Sequence, residues 1–288
     1  MTTTMTDSLV LAVGAFASLR TPGRITAAVR SGGLAALREA FDGLDHATQV
    51  DATVKAEQME RDGIGAVVFG EPDFPQSLVS NGKPLMPIIF YKGNKSLLYA
   101  DGVGMCGSRN VSPKGLEAAD RCGVSVSERG LTIISGYAKG VDTATHLAAL
   151  RTGGSTVIVL AEGMDYFRVK REFTRDFDPA RTLVLSQFAP SQTWQAHAAM
   201  ARNSIIFGLS KALVVIEAGE KGGTLAAGEG AMKLGRPVLV VDFGEATPPG
   251  NRKLLADGAT PVRNTASLHH VLDGLPRDPL GPAEMHLF

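Results

Sequence analysis

Three short glycine-containing segments have the residue types of an anion site. They are Gly107-Ser108-Arg109, the segment from Gly136 to Gly140, and Gly222-Gly223-Thr224. Each follows an apolar run and precedes a segment with helical periodicity, and a helix N-terminus offers backbone N–H groups and a positive dipole end to phosphate oxygens. Arg109 adds a fork of donors that matches phosphate geometry. These segments predict a site for a phosphorylated or polyanionic ligand.

Cationic side chains accompany these segments. Lys139 stands between Ala138 and Gly140, where it could reach a phosphate. The densest basic cluster contains Arg168, Lys170, Arg171 and Arg175. Such a cluster suits nucleic-acid phosphates, although an exposed helix face gives the same pattern.

Several polar residues lie inside apolar, helix-length segments. Arg202 and Asn203 interrupt an apolar stretch, and a buried arginine needs an anionic partner, either a carboxylate of the protein or a ligand. Asp142 is predicted to cap the helix that follows it. His146 is predicted to be a packed or hydrogen-bonded core residue.

The elements that position these residues follow from hydrophobic periodicity. From residue 101 onward, short apolar runs alternate with helix-length segments, which is typical of a parallel sheet with crossover helices. Strands are predicted at residues 103–106, 131–135, 156–160, 182–186, 212–217 and 237–242. Helices are predicted near residues 113–129, 142–152, 166–177, 195–208 and 224–235. In such an extended Rossmann-like α/β sheet, ligands bind at the carboxyl ends of the strands, where the glycine segments lie.

The N-terminal part of the sequence differs from the rest in its hydrophobic pattern. Residues 8 to 60 show helical periodicity broken at Thr21-Pro22-Gly23, Ser31-Gly32-Gly33 and Asp42-Gly43, so we expect three or four short helices. A Pro-rich connector with the apolar run 88–91 follows. We therefore expect a small helical domain at residues 1–65, a Rossmann-like domain at 66–265 and a short tail at 266–288.

Composition limits the classes of function. Because 29 Lys and Arg balance 29 Asp and Glu, affinity for nucleic acid must come from local clusters. Cys106 and Cys122 are too few for a disulfide framework, and no spacing of Cys and His suits zinc, so we expect a reducing cytoplasm and no metal. The glycines at 102, 104 and 107 straddle a predicted strand, which argues against a dinucleotide cofactor. No apolar stretch approaches the ~20 residues of a membrane span.

Five ordered segments resemble the bacterial DNA processing protein A (DprA/Smf) family. They are Gly107–Arg109, Ser135–Leu150, Gly154–Leu160, Arg202–Ser210 and Val214–Ala218. The upstream segments Glu71–Leu78 and Phe90–Asn94 are also similar to that family. The resemblance implies an extended Rossmann fold in a non-enzymatic protein that dimerises, binds single-stranded DNA during natural transformation and helps to load a RecA-type recombinase.

Carried over to this sequence, the resemblance implies which residues bind the DNA backbone. They are Ser108 and Arg109, the loop from Gly136 to Gly140 with Lys139, Arg202 and Asn203, with Lys170 and Arg171 extending the site. The sequence departs from the family at Ser204, which replaces the second arginine of Arg-Asn-Arg, and at Lys221–Leu225, which replaces Ser-Gly-Ser-Leu. Beyond Leu275 we expect the tail to be too short for the winged-helix domain that many members carry. These departures suggest a divergent branch.

Two other functions stay open at this point. Gly222-Gly223-Thr224 resembles part of a turn in the LOG phosphoribohydrolases, and Glu217 is a candidate acid or base, but no paired catalytic carboxylate is visible. The same pocket could instead serve a nucleotide-binding sensor. Single-stranded DNA would need aromatic platforms near the cations, for which the candidates are Tyr137, Tyr166, Phe167 and Phe207.

Overall fold

The computed structural model describes residues 5–276. Residues 277–288, most of the predicted tail, lie outside this range. The chain divides into two compact units. The first comprises Met1–Lys95, Val159–Val169 and Leu183–Ile205, and the second comprises Ser96–Ile158, Lys170–Thr182 and Ile206–Phe288. The predicted boundaries at residues 65 and 265 stay predictions.

The α-helices of the described range are α1 (Met5–Leu19), α2 (Pro22–Asp42), α3 (His46–Arg61), α4 (Pro113–Ser127), α5 (Val141–Arg151), α6 (Ala196–Ala201), α7 (Asn203–Leu209), α8 (Gly223–Lys233), α9 (Pro249–Ala256) and α10 (Thr265–Asp273). The strands are β1 (Ile64–Val68), β2 (Val79–Ser80), β3 (Lys83–Pro84), β4 (Ile88–Gly93), β5 (Gly102–Cys106), β6 (Thr132–Gly136), β7 (Thr156–Val159), β8 (Thr182–Ser186), β9 (Ala212–Val215), β10 (Val238–Val241) and β11 (Thr260–Val262). None of these helices has the length and apolarity needed to cross a membrane.

The first unit begins with the predicted helices. Thr21 caps α2, accepting a hydrogen bond at its hydroxyl from the N–H of Arg24, and Pro22 occupies the first turn, where its missing N–H costs nothing. The helix kinks at Gly33, whose φ of 63° favours glycine. The expected helical N-terminal segment is therefore confirmed, with three helices of which one is kinked.

Helix α1 packs against α2, α3 and β1 through a buried apolar face. Strand β1 pairs antiparallel with β4, and β4 pairs antiparallel with β8. Only β8 of these three strands is among the predicted ones. The apolar run at residues 88–91 is the buried part of β4, not a connector, because it pairs on both sides and its side chains are buried.

The second unit contains the parallel strands in the order β7-β6-β5-β9-β10-β11. The pairs β5–β6, β5–β9, β9–β10 and β10–β11 are parallel. Strands β5, β6, β7, β9 and β10 are buried along their whole length, as expected for strands between two helical layers. The Rossmann-like α/β fold class is confirmed, and the observed ends of these strands lie within two residues of the predicted ones.

The helices predicted at residues 166–177 and 195–208 differ from those in the structure. Residues 166–177 form no α-helix but short 3-10 turns at Met164–Tyr166 and Arg171–Phe173. The N–H of Lys170 donates to the Tyr137 hydroxyl instead of a helical carbonyl, and Phe173 is fully buried against the Tyr137 ring. The helix predicted at 195–208 is two helices, α6 and α7, that meet at Arg202. There the N–H of Ile205 bonds the carbonyl three residues earlier.

Candidate anion-binding site at the strand ends

The turn after β5 and the loop after β6 lie against each other in the second unit. The N–H of Val141 donates to the Ser108 carbonyl over 3.3 Å. A Cβ at Gly140 would lie 2.4 Å from the Ser108 carbonyl oxygen, and the φ of Gly140 is +82°. A Cβ at Gly107 would lie 2.5 Å from the Val141 side chain. Glycine is therefore required at both positions for the two segments to meet.

The third glycine segment, Gly222-Gly223-Thr224, contacts the turn after β5. The Thr224 hydroxyl donates to the Gly107 carbonyl over 3.1 Å. Helix α8 begins after Gly222, with φ of +116°, and α5 begins after Gly140, so neither helix carries a side chain at its N-cap. The structure confirms that the three glycine segments lie in contact with one another, as predicted. Two helix N-termini in this arrangement suit an anion, and anion binding itself stays a prediction.

The N-terminus of α4 is already occupied by a carboxylate of the protein. Ser112 caps α4 through the N–H of Gly115, and its own N–H donates to Glu217 over 3.0 Å. The Ser112 hydroxyl also donates to Glu217. Glu217 therefore fills the position that the sequence suggested for a ligand at this helix, since a carboxylate there is favoured by the helix dipole.

The loop at residues 136–140 is held from α5. The Ala138 N–H donates to the Asp142 carboxylate over 3.1 Å, and the Thr143 hydroxyl donates to the Ala138 carbonyl over 2.8 Å. Asp142 thus has a structural role, but the prediction that it caps α5 is wrong, because it is the second residue of the helix and braces the preceding loop. Lys139, between these braces, is exposed.

His146 is a buried core residue, as predicted. Its Nδ1 lies 2.6 Å from the Thr156 hydroxyl and its Nε2 lies 2.7 Å from the Gly136 carbonyl oxygen. Both ring nitrogens are therefore used inside the protein. The contact with the Gly136 carbonyl also fixes the point where β6 ends and the loop begins.

The two basic residues proposed to extend the site differ in their surroundings. The Lys170 ammonium donates to the Tyr137 carbonyl over 2.5 Å and lies 4.0 Å from the centre of the Tyr137 ring. Burial raises the pKa of the Tyr137 phenol. Lys170 is thus engaged in holding the loop, whereas Arg171 is exposed at the start of a 3-10 turn.

Arg202 and Asn203 belong to the first unit. The Arg202 side chain is 7% exposed, and its guanidinium lies 3.3 Å from the Ala199 carbonyl oxygen and 3.4 Å from that of Val159. These acceptors provide part of the polar environment that a buried arginine requires. Asn203 begins α7 and is partly exposed. Contact of either residue with DNA stays a prediction.

One buried residue that shapes the site escaped the sequence analysis. Asn251, fully buried in α9, accepts from the N–H of Ala218 over 2.7 Å and donates to the carbonyls of Ile216 and Val241. It fixes the chain between β9 and the Gly222 turn. A lone asparagine in a short helical segment gives no signal of this role. No cluster of three metal-ligating side chains occurs in the described range.

The fold and these loops define a Rossmann-like α/β protein with an anion-suited surface at its strand ends. The family model of DNA recombination-mediator protein A matches residues 65–273, so the chain belongs to that family. The resemblance drawn from the five sequence motifs is thereby confirmed.

Similar proteins agree with this membership. The chain is 37% identical over 175 residues to the DNA processing protein DprA of Streptococcus pneumoniae, and the match covers 60% of this chain and 62% of that protein. The X-ray structure of DprA from Streptococcus pneumoniae has a TM-score of 0.72 at 26% identity, covering 96% of this chain and 100% of that one. A structure of DprA from Helicobacter pylori, described for its single-stranded DNA binding mode, has a TM-score of 0.64 at 20% identity, covering 74% of this chain and 97% of that one.

Proposed function

We propose that the protein binds single-stranded DNA in the cytoplasm through the converging loops of the second unit and holds it without cutting it. The observation that carries the proposal is the meeting of Ser108, Gly140 and Thr224 around the Gly107 turn, beside the exposed side chains of Arg109 and Lys139. Family membership and the DNA-binding Helicobacter relative support it.

The affinity for DNA must come from a local group of cations and N–H donors, because the formal net charge of the chain is zero. The N-termini of α5 and α8 offer backbone N–H groups, and Arg109 and Lys139 offer cations, to successive phosphates. Each phosphate neutralised on a single strand contributes about 0.7 to the slope of log K against log salt. Binding through these groups should therefore weaken steeply with salt and depend little on sequence.

A groove beside Lys139 offers space for a base. It has a volume of about 680 Å³ and lies between α4 and α5, with Leu116, Ala144 and Leu147 among its apolar lining residues. Phosphate bound at Gly140 would place the attached nucleoside next to this apolar surface. Unpaired bases can use such a surface, whereas bases in a duplex are already stacked and paired.

The enzymatic alternative has weaker support. The only candidate acid or base that the sequence suggested, Glu217, uses its carboxylate to accept two hydrogen bonds from Ser112 at the start of α4. We therefore propose a binding role instead of hydrolysis. Dimer formation, a RecA-type recombinase partner and action in natural transformation are part of the same proposal. The family's description as a recombination mediator supports the recombinase partner.

The test compares ligands on the full chain. Fluorescence anisotropy should show tighter binding of a labelled oligo(dT) than of a duplex of equal length, with intact DNA recovered afterwards. Size-exclusion chromatography with light scattering should report two copies per particle. Loss of base from nucleoside monophosphates, or tight binding of a free nucleotide with none of the oligonucleotide, would contradict the proposal.

A further inference from the structure

Two aromatic side chains of the first unit stand open to solvent. Trp194, the only tryptophan in the sequence, is 48% exposed, and Tyr166 is 45% exposed. Sequence analysis named Tyr166 as a stacking candidate but not Trp194. By contrast, the Tyr137 ring is packed against Phe173.

The loops that carry these rings are bonded to each other. The Gly163 N–H donates to the Gln192 carbonyl over 2.8 Å, and the Asp165 N–H donates to the Pro190 carbonyl over 3.1 Å. A Cβ at Gly163 would lie 2.1 Å from the Pro190 carbonyl oxygen, so this approach requires glycine. The backbones that present Tyr166 and Trp194 are therefore mutually fixed, which lowers the entropy lost when a ligand is bound.

Cations accompany the aromatic rings. The exposed Arg168 donates to the carbonyls of Asp165 and Phe167, which holds its guanidinium close to the Tyr166 segment. The Lys55 ammonium lies 2.6 Å from the Asp165 carboxylate and neutralises it. Arg168 also lines a groove of about 470 Å³ together with Lys92, Asp62 and Asp165. Exposed aromatic faces beside an arginine are a combination that binds unpaired bases and their phosphates.

We propose that Trp194, together with Tyr166, stacks on bases of single-stranded DNA. This inference rests on the proposed function and specifies which part of the ligand is recognised here, namely the unpaired nucleobase. The exposed Arg168 guanidinium, held at the Tyr166 segment, favours a polyanion over an apolar protein surface as the occupant. Every base has a stacking face, so this surface tolerates any sequence.

The experiment uses Trp194 as its own reporter, because no other tryptophan contributes to the emission. The full chain is titrated with oligo(dT) and with an abasic deoxyribose-phosphate chain of equal length. Stacking predicts a change in tryptophan emission with oligo(dT) and none with the abasic chain. In parallel, anisotropy with labelled ligands measures the affinity of the variants.

Trp194→Ala should weaken oligo(dT) binding about 5- to 150-fold, from the magnitude of one stacked base, and leave the affinity for the abasic chain unchanged. Trp194→Phe, which keeps a ring, should retain most of the affinity. Tyr99→Ala, at a tyrosine of the second unit that is 43% exposed, is the matched control and should have no effect.

Each other outcome overturns a defined claim. If wild type binds oligo(dT) with unchanged emission and Trp194→Ala binds equally well, stacking is wrong while the proposed function stands. If Trp194→Ala changes only the oligomeric state, the surface contacts protein and stacking is wrong. If wild type binds no oligonucleotide, the proposed function and this inference both fail.

Discussion

Gly140 approaches Ser108 so closely that a Cβ at position 140 would stand 2.4 Å from the Ser108 carbonyl oxygen. This approach lets the turn after one parallel strand and the first turn of the next crossover helix share one surface. Because the N–H of Val141 also donates to that carbonyl, the separation is fixed by the backbone. The geometry of the proposed phosphate site therefore depends on glycine at position 140.

Gly140→Ala should destabilise the protein and weaken oligonucleotide binding. A φ of +82° with a ψ of −127° costs a side chain about 1–3 kcal/mol, and the clash with Ser108 adds about 1–3 kcal/mol. Gly153→Ala is the matched control, since its φ is +78° but no atom lies within 4 Å of the new Cβ. Urea denaturation should show the larger loss for Gly140→Ala, and equal losses would mean that the close approach is unimportant.

Arg109→Ala should weaken binding to all sequences alike. Removing one phosphate contact on a single strand should reduce the slope of log K against log salt by about 0.7. Arg121→Ala, at an exposed arginine paired with Glu117 on α4, is the control and should leave the slope unchanged. An unchanged affinity and slope for Arg109→Ala would remove this residue from the site.

Ser112→Ala should lower the free energy of unfolding by about 1 kcal/mol, because the N-cap of α4 is lost. Glu217→Gln should also destabilise the protein, and the double variant should lose less than the sum, since both residues belong to one hydrogen-bonded pair. Ser31→Ala, whose hydroxyl bonds only within its own helix, is the control. Strict additivity in the double variant would mean that the Ser112–Glu217 contact contributes nothing.

Asp242 should make stability depend on pH in the acid range. The hydrogen bond from Arg263, followed by those from Thr247 and Gly244, lowers the pKa of this carboxyl from 3.8 to about 2. A lowered folded-state pKa adds stability that is fully present above the unfolded value and is lost as the pH falls through the folded value. Asp242→Asn should therefore be less stable than wild type at neutral pH.

The difference in unfolding free energy between wild type and Asp242→Asn should shrink as the pH is lowered from about 4 to about 2. Thermal denaturation across that range measures it. Asp51→Asn, at an exposed residue of α3, is the control and should give a difference that does not vary with pH. A difference that stays constant with pH would show that the Asp242 charge does not stabilise the fold.

The sequence predicted what depends on local pattern. Strands such as β6 and β9 are continuous apolar runs between turn residues, so their positions follow from burial on both faces. Convergence of the glycine segments followed from topology, because parallel strands end at one edge. The antiparallel pair of β1 and β4 was not predicted. The prolines between residues 72 and 87 indicated a connector, and the partner of β4 lies at least 20 positions earlier in the chain.

What the sequence could not predict depends on distant contacts. The bond between Ser112 and Glu217 joins residues 105 positions apart, and it determines which helix start is already satisfied. Residues 166–177 have helix-like spacing of charges, but the Tyr137 hydroxyl captures the Lys170 N–H and favours short turns. Burial of Arg202 was expected from its apolar neighbours, but its contact with the Val159 carbonyl, 43 positions away, follows from packing.

A crystal structure of the full chain with oligo(dT) tests the central claim most directly. Phosphate oxygens should lie within hydrogen-bond distance of the N–H groups that begin α5 and α8, with the side chains of Arg109 and Lys139 beside them and the strand uncut. DNA bound on another surface, with these N–H groups facing only water, would contradict the account.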